Sequence, residues 1–70
     1  MEKIKFELSG EYIELIKLLK LLSIAESGAM AKTMVDNGEV MLNNQKENRK
    51  RAKLRKGDVI RIFDLEISIE

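Results

Sequence analysis

The stretch SGAMAKTMVDNGEVMLNN, residues 27–44, contains the local signals that decide the fold. Ser27 is a favourable N-cap residue, and apolar residues follow it at helical spacing, so we predict that a helix begins there. Gly38 suits the left-handed conformation that often lies just past a helix end. Between these two residues we predict a short helix whose apolar edge consists of Met30, Ala31, Met34 and Val35.

The second half of the same stretch predicts a strand and then a turn. In EVMLNN the period is two, with Val40 and Leu42 directed inward. Asn43-Asn44 predicts a turn, because Asn tolerates a positive φ better than most residues. Further along, KGDVIRIFDLEISIE, residues 56–70, predicts a Lys-Gly-Asp turn followed by two strands.

The chain before this stretch predicts one strand and one helix. IKFEL, residues 4–8, alternates as a half-buried strand does. EYIELIKLLKLL, residues 11–22, has helical spacing, with an apolar stripe made of Tyr12, Leu15, Ile16, Leu19 and Leu22. This order indicates an α+β fold in which two helices pack on one small antiparallel sheet. We expect residues 1–70 to form a single domain.

Composition excludes several classes of protein. The chain has no Cys and no His, so disulfides, thiolate metal sites and the commonest general base are all missing. The acidic residues are scattered, and no Gly-rich phosphate loop is present. We therefore expect neither an enzyme nor a metal or cofactor site. The apolar runs are too short for a membrane span or a signal peptide, and we expect a cytoplasmic protein.

Positive charge is concentrated in one part of the chain. Residues 46–56, here called the basic segment, hold seven basic side chains and one acid, a net charge of +6, whereas the whole chain has a formal net charge of +1. The cations of the basic segment are Lys46, Arg49, Lys50, Arg51, Lys53, Arg55 and Lys56. A loop that only keeps a protein in solution can carry such charge, and so can a surface that binds phosphate groups.

Two stretches together resemble a known family. Residues 27–44, followed by KLRKGDVIRI at residues 53–62, resemble the S4 domain, an RNA-binding domain named after ribosomal small-subunit protein four. The family pattern is a helix-opening Ser, an Ala four residues later, two apolar residues, a Gly, an apolar alternation into a turn, and later Leu-x-x-Gly-Asp. The residues that match it are Ser27, Ala31, Met34, Val35, Gly38, Val40, Leu42, Asn43, Leu54, Gly57, Asp58 and Ile60. The N-terminal strand and helix look like the small stand-alone bacterial subfamily of the YaaA type.

The resemblance implies RNA binding through a basic groove that grips the backbone of structured RNA. We expect the chain to be a monomer. The sequence does not name the RNA, so ribosomal RNA, a ribosome-assembly intermediate, transfer RNA and a regulatory RNA all stay open, with the ribosome or a ribosomal subunit as one partner to consider. No cofactor is implied. Carried over residue by residue, the expected RNA-binding residues are Lys17, Lys20, Ser27, Gly28, Lys32, Asn43, Arg49, Lys50, Arg51, Lys53, Arg55 and Lys56. Two positions depart from the family pattern, since Gly28 stands where the family often has Arg and Asn44 where Gly is usual.

The aromatic residues bear on the kind of RNA. The chain has only Phe6, Tyr12 and Phe63. Phe6 and Phe63 have apolar neighbours in predicted strands and Tyr12 lies on the apolar stripe of the predicted helix, so we predict that all three lie in the core. A stacking platform for single-stranded bases would then be missing, which favours recognition of folded or double-helical RNA by shape and backbone. The alternative is a DNA-binding or protein-interaction module with a basic loop, because two helices joined by a short turn also resemble a helix-turn-helix.

Overall fold

The chain folds into two short helices and seven strands, described over residues 1–70 by a computed structural model. In chain order these elements are β1 (Glu2–Phe6), β2 (Ile13–Glu14), α1 (Leu15–Leu21), α2 (Gly28–Asp36), β3 (Val40–Leu42), β4 (Gln45–Lys46), β5 (Lys53–Leu54), β6 (Val59–Ile62) and β7 (Leu65–Ile69). The α+β class predicted from the sequence is confirmed.

The main sheet has the strand order β1-β7-β6-β3-β4, and β2 pairs with β5 in a separate ribbon. Hairpins join β3 to β4 and β6 to β7, so these neighbours are antiparallel, as are β3 and β6. β1 differs, because it runs parallel to β7 with Ile4 opposite Ile67. The sheet is therefore mixed, and the prediction of a purely antiparallel sheet was wrong at this edge. The chain passes through both helices after β1, and such a crossover permits the parallel pairing that a tight turn forbids.

One apolar core joins the helices to the sheet. Its sixteen buried residues come from every part of the chain. They are Leu8, Ile13, Leu15, Leu18, Leu19, Ala25, Ala31, Met34, Val35, Val40, Ala52, Leu54, Ile60, Ile62, Ile67 and Ile69. Fully burying a Leu, Ile or Val side chain contributes roughly 1.5–3 kcal/mol, so this cluster is the main source of stability in so short a chain.

The local signals around α2 are confirmed. The Ser27 hydroxyl accepts the N–H of Met30 at 3.1 Å, which caps the helix start. Gly38 follows the helix with φ +73°, and its N–H donates to the carbonyl of Val35 at 3.0 Å. Met30 was wrongly predicted as core. It is 42% exposed because it lies roughly 90° around the helix from the centre of the buried stripe. Neither helix is long and apolar enough to cross a membrane.

The first helix begins later than the sequence predicts, and this places Tyr12 outside the core. Residues 13–14 are extended and pair with β5, so α1 starts at Leu15. Tyr12 therefore precedes the helix and is 43% exposed, contrary to the prediction that it belongs to the apolar stripe. Leu18, which the predicted apolar stripe omitted, is completely buried.

Phe63 also lies outside the core. It is the first of two residues that turn the chain between Ile62 and Leu65, which pair with each other. Its φ is +55° and its side chain is 59% exposed. A two-residue hairpin needs a positive φ, usually supplied by Gly or Asn, so the sequence carries no conventional signal for this turn. Phe6 is half-buried and packs against the core as predicted.

We expect Leu54→Ala to lower the free energy of unfolding by about 2–5 kcal/mol, because this side chain is completely buried and its removal leaves a cavity. Leu21→Ala makes the same chemical change at a position that is 57% exposed, and should cost less than about 0.5 kcal/mol. Urea denaturation measures both variants. Similar losses in the two would show that Leu54 does not contribute specially to the core.

Candidate nucleic-acid interface

The basic segment is anchored by the apolar residues between its cations. Ala52 and Leu54 are buried, whereas the neighbouring Arg51, Lys53 and Arg55 are exposed. This alternation is the pattern of a strand with one face toward the core. The five residues RAKLR contain that signal in the sequence. Only Lys53 and Leu54 pair as a strand, and the buried Ala52 and Leu54 hold the exposed cations beside them in place.

Backbone hydrogen bonds tie the basic segment to the start of α1. The N–H of Leu15 donates to the carbonyl of Ala52 at 2.9 Å, and the N–H of Ile16 donates to the carbonyl of Lys50 at 3.3 Å. No side chain caps this helix start. Two N–H groups that a helix leaves unpaired are thereby satisfied by the basic segment itself. The segment consequently has a fixed position on the fold.

Four of the seven cations of the basic segment line a concave surface. Its volume is about 410 Å³, and its five lining residues are Arg49, Arg51, Ala52, Lys53 and Arg55. Four of these five side chains are positively charged. The arrangement can hold several phosphate groups at once, because guanidinium groups bind phosphate oxygens in a bidentate manner.

Arg49 is engaged by an acid within the fold. Its Nε lies 3.1 Å from Oε2 of Glu47, its Nη2 lies 3.2 Å from Oε1, and its backbone N–H donates to Oε2 at 3.0 Å. Glu47 is the one charged side chain that is buried. The hydrogen bonds from the Arg49 side chain hold the pKa of Glu47 below its ordinary value, against the opposing effect of burial. Much of the Arg49 charge is therefore used inside the chain.

Lys50 is also paired, since its Nζ lies 3.4 Å from Oδ2 of Asp36 at the end of α2. This ion pair connects the second helix to the basic segment across a partly exposed surface, where such pairs contribute little to stability. The cations of the basic segment that have no acidic partner within 4.0 Å are Lys46, Arg51, Lys53, Arg55 and Lys56. These five carry most of the charge available to a ligand.

Asn43 is a connecting residue of the fold. Its side-chain oxygen accepts the N–H of Val59 at 2.9 Å, and its side-chain nitrogen donates to Oδ1 of Asp58 at 3.1 Å. The other oxygen of Asp58 accepts the N–H of Arg55 at 2.8 Å. Asn43 and its neighbour Asn44 have φ values of 50° and 69°, which confirms the predicted turn. The Asn43–Asp58 pair thus fixes the end of the basic segment against β3.

The start of α2 forms a second, smaller group. The aliphatic stem of Lys20 reaches Gly28, where a Cβ atom would lie 3.9 Å from Cδ of the lysine. Lys32 is exposed one turn further along the same helix face. Ser27 is occupied as the helix cap. The predicted residues Lys20, Ser27, Gly28 and Lys32 therefore lie together, but none of them lines the concave surface of the basic segment.

Tyr12 is the residue that the sequence prediction missed. Nζ of Lys53 lies 4.9 Å from the centroid of its ring, and Cζ of Arg55 lies 5.9 Å away. Together with Ile13, Glu14 and Lys17, it lines a second concave surface of about 290 Å³. The sequence did contain a signal for this position. YIE at residues 12–14 and KLR at residues 53–55 each have an apolar residue at the centre, and pairing them with Ile13 and Leu54 inward leaves Tyr12 on the outer face.

Comparisons with known proteins identify the family to which the chain belongs. A family model described as S4 domain matches residues 6–70. The chain belongs to the S4 domain family, so the resemblance seen in the sequence is confirmed.

Two similar proteins have names that describe a role. The probable ribosome maturation protein RlbA of Bacillus subtilis (strain 168) is 42% identical over 52 residues, which are 74% of this chain and 73% of that protein. The solution structure of YbcJ from E. coli is described as revealing an ALFAL motif involved in RNA binding. It superposes with a TM-score of 0.65 at 30% identity and covers 97% of this chain and 87% of YbcJ.

Glu47→Gln tests the internal ion pair. Because the pKa of Glu47 is lowered in the folded chain, its carboxylate stabilises the fold above its ordinary pKa of 4.5, and this contribution is lost as the pH falls through the lowered pKa. We expect Glu47→Gln to cost about 1 kcal/mol at neutral pH, and the difference from the parent to shrink in acid. Urea denaturation at neutral and acidic pH measures this.

The control for this measurement is Glu39→Gln, which alters an exposed carboxylate that has no ion pair. It should leave the stability close to that of the parent at both pH values. A loss at Glu47 that stays constant from neutral to acidic pH would contradict the role assigned to its charge.

Proposed function

We propose that this protein binds structured RNA by gripping its backbone, with the basic segment as the main contact surface. The observation that carries the proposal is the concave surface on which Arg49, Arg51, Lys53 and Arg55 converge. Phosphate contacts need cations held at fixed positions, and the burial of Leu54 supplies the fixed support. Membership of the S4 domain family and the RNA-binding description of YbcJ support the same conclusion.

We further propose that the RNA is ribosomal RNA or a ribosome-assembly intermediate. The support is the similarity to RlbA, whose name describes a probable ribosome maturation protein. The chain covers nearly three quarters of that relative, so the comparison concerns most of both proteins. The proposed role is binding, with no catalytic step, and we place it in the cytoplasm.

Two exposed cations, Lys20 and Lys32, lie outside the basic segment beside Gly28. We propose that they extend the RNA contact along α2. The same helix offers only one cation, Lys32, to a DNA major groove, whereas the seven cations of the basic segment lie outside both helices. This distribution favours RNA over a helix-turn-helix mode of DNA binding.

We expect the chain to bind a structured RNA with strongly salt-dependent affinity. Each neutralised phosphate contributes roughly 0.7–0.9 to the slope of log affinity against log salt, so five free cations give a slope of about −3.5 to −4.5. Fluorescence anisotropy with a labelled RNA hairpin at several salt concentrations measures this. Duplex DNA of equal length should bind less tightly. Absence of binding at low salt, or a flat salt response, would overturn the proposed function.

A pair of double variants separates a defined surface from total charge. We expect Arg51→Ala with Arg55→Ala to reduce the affinity for the same hairpin several-fold and to flatten the salt slope by about two contacts' worth. Lys3→Ala with Lys5→Ala removes equal charge from exposed positions on β1 and should do much less. Arg49 is avoided, because its loss would leave the buried Glu47 without its partner. Equal losses in two folded variants would contradict a defined binding surface.

A further inference from the structure

The ribbon formed by β2 and β5 has one buried face and one exposed face. Ile13 and Leu54 lie opposite each other and are buried. Extending the antiparallel register by one residue places Tyr12 opposite Arg55 on the exposed face, where Lys53 also projects. The side-chain positions agree with this register, since both cations lie within 6 Å of the ring centroid. Tyr12 is therefore an exposed aromatic ring inside a group of cations.

The concave surface beside Tyr12 differs in chemistry from the neighbouring one. Its lining includes an acidic residue, Glu14, as well as the basic residue Lys17. A carboxylate repels phosphate but accepts hydrogen bonds from the amino groups of nucleobases. The surface around Tyr12 consequently suits a base, whereas the surface lined by Arg49, Arg51, Lys53 and Arg55 suits the backbone of the same nucleic acid.

We infer that Tyr12 stacks one unpaired nucleobase of the bound RNA while Lys53 and Arg55 contact the flanking phosphates. The inference rests on the proposed RNA-binding function and adds a specificity to it. A fully paired A-form helix offers no free base face, so the preferred RNA contains a bulged or looped nucleotide next to a helical stem. A base with an amino group, such as adenine or cytosine, would also satisfy the Glu14 carboxylate.

The ring of Tyr12 can contact either a cation or a stacked base, and the difference in strength between these two contacts supports the assignment. A cation over an exposed aromatic face contributes about two- to fivefold in an equilibrium constant. Stacking of one base on an aromatic side chain contributes roughly five- to 150-fold. Lys53 and Arg55 also gain interaction free energy when they leave the ring and contact phosphate oxygens. A base therefore displaces them from the ring face.

The test uses three short RNA hairpins with the same stem. The first has a bulged adenosine, the second has an abasic nucleotide at the bulge, and the third is fully paired. The parent protein is compared with two variants. Tyr12→Phe keeps the aromatic ring, whereas Tyr12→Leu keeps an apolar side chain but removes the ring. We expect Tyr12→Leu to lower the affinity for the bulged adenosine by about fivefold or more. Affinities for the other two hairpins should change by less than about twofold, and Tyr12→Phe should bind like the parent.

A spectroscopic readout is available in the parent protein itself. Tyr12 is the only tyrosine, and the chain has no tryptophan, so the intrinsic emission reports on this ring alone. We expect the bulged adenosine to quench that emission more strongly than the abasic hairpin does at equal saturation.

The outcomes separate this inference from the function on which it rests. Binding of the parent to all three hairpins with equal affinity and equal quenching would overturn the stacking role and leave RNA binding intact. A loss in Tyr12→Leu that is the same for all three hairpins would also overturn it, because the ring would then only position Lys53 and Arg55. No binding of the parent to any hairpin at low salt would overturn the proposed function as well.

Discussion

The structure depends on the pairing of Ile13-Glu14 with Lys53-Leu54. This short ribbon brings two segments far apart in sequence together at the start of α1. Two carbonyls of the basic segment then accept the first two N–H groups of the helix, while Leu54 enters the core. Repulsion among clustered cations opposes this arrangement, and the burial of apolar residues between the charges offsets that repulsion. A mobile basic loop would have to be ordered when ligand binds, whereas this one is ordered by the fold itself.

Much of the fold can be predicted from the sequence, because its signals act within a few residues. Ser27 caps a helix that begins one residue later, Gly38 follows that helix with a positive φ, and Asn43-Asn44 forms the expected turn. The direction of β1 could not be predicted in this way. Alternation in IKFEL predicts a strand but says nothing about its partner, and the parallel pairing with β7 joins the two ends of the chain. Tyr12 was misplaced for a similar reason, since its position depends on a long-range contact with β5.

The sequence shows how many cations the candidate site has, but it does not show which of them form ion pairs with acidic side chains. The basic segment contains seven cations, and the structure shows that two of them, Arg49 and Lys50, are paired with acids. The first pair is local and the second joins segments 14 residues apart. Both reduce the charge left for a ligand and, in return, orient the segment. The Leu-x-x-Gly-Asp pattern likewise acquires a structural explanation, because Asp58 receives the side chain of Asn43 and the N–H of Arg55.

The edges of the main sheet have a consequence for how the protein behaves when it is crowded. The two edge strands are β1 and β4, and each leaves backbone N–H and C=O groups without a neighbouring strand. Unprotected edges invite another chain to add a strand, which is a route to aggregation. β4 is only two residues long and ends in Lys46, while β1 exposes Lys3 and Lys5 along its length. Lysines on an edge strand are one of the features by which natural sheets discourage the addition of another strand, and Lys3 and Lys5 place two such charges along β1.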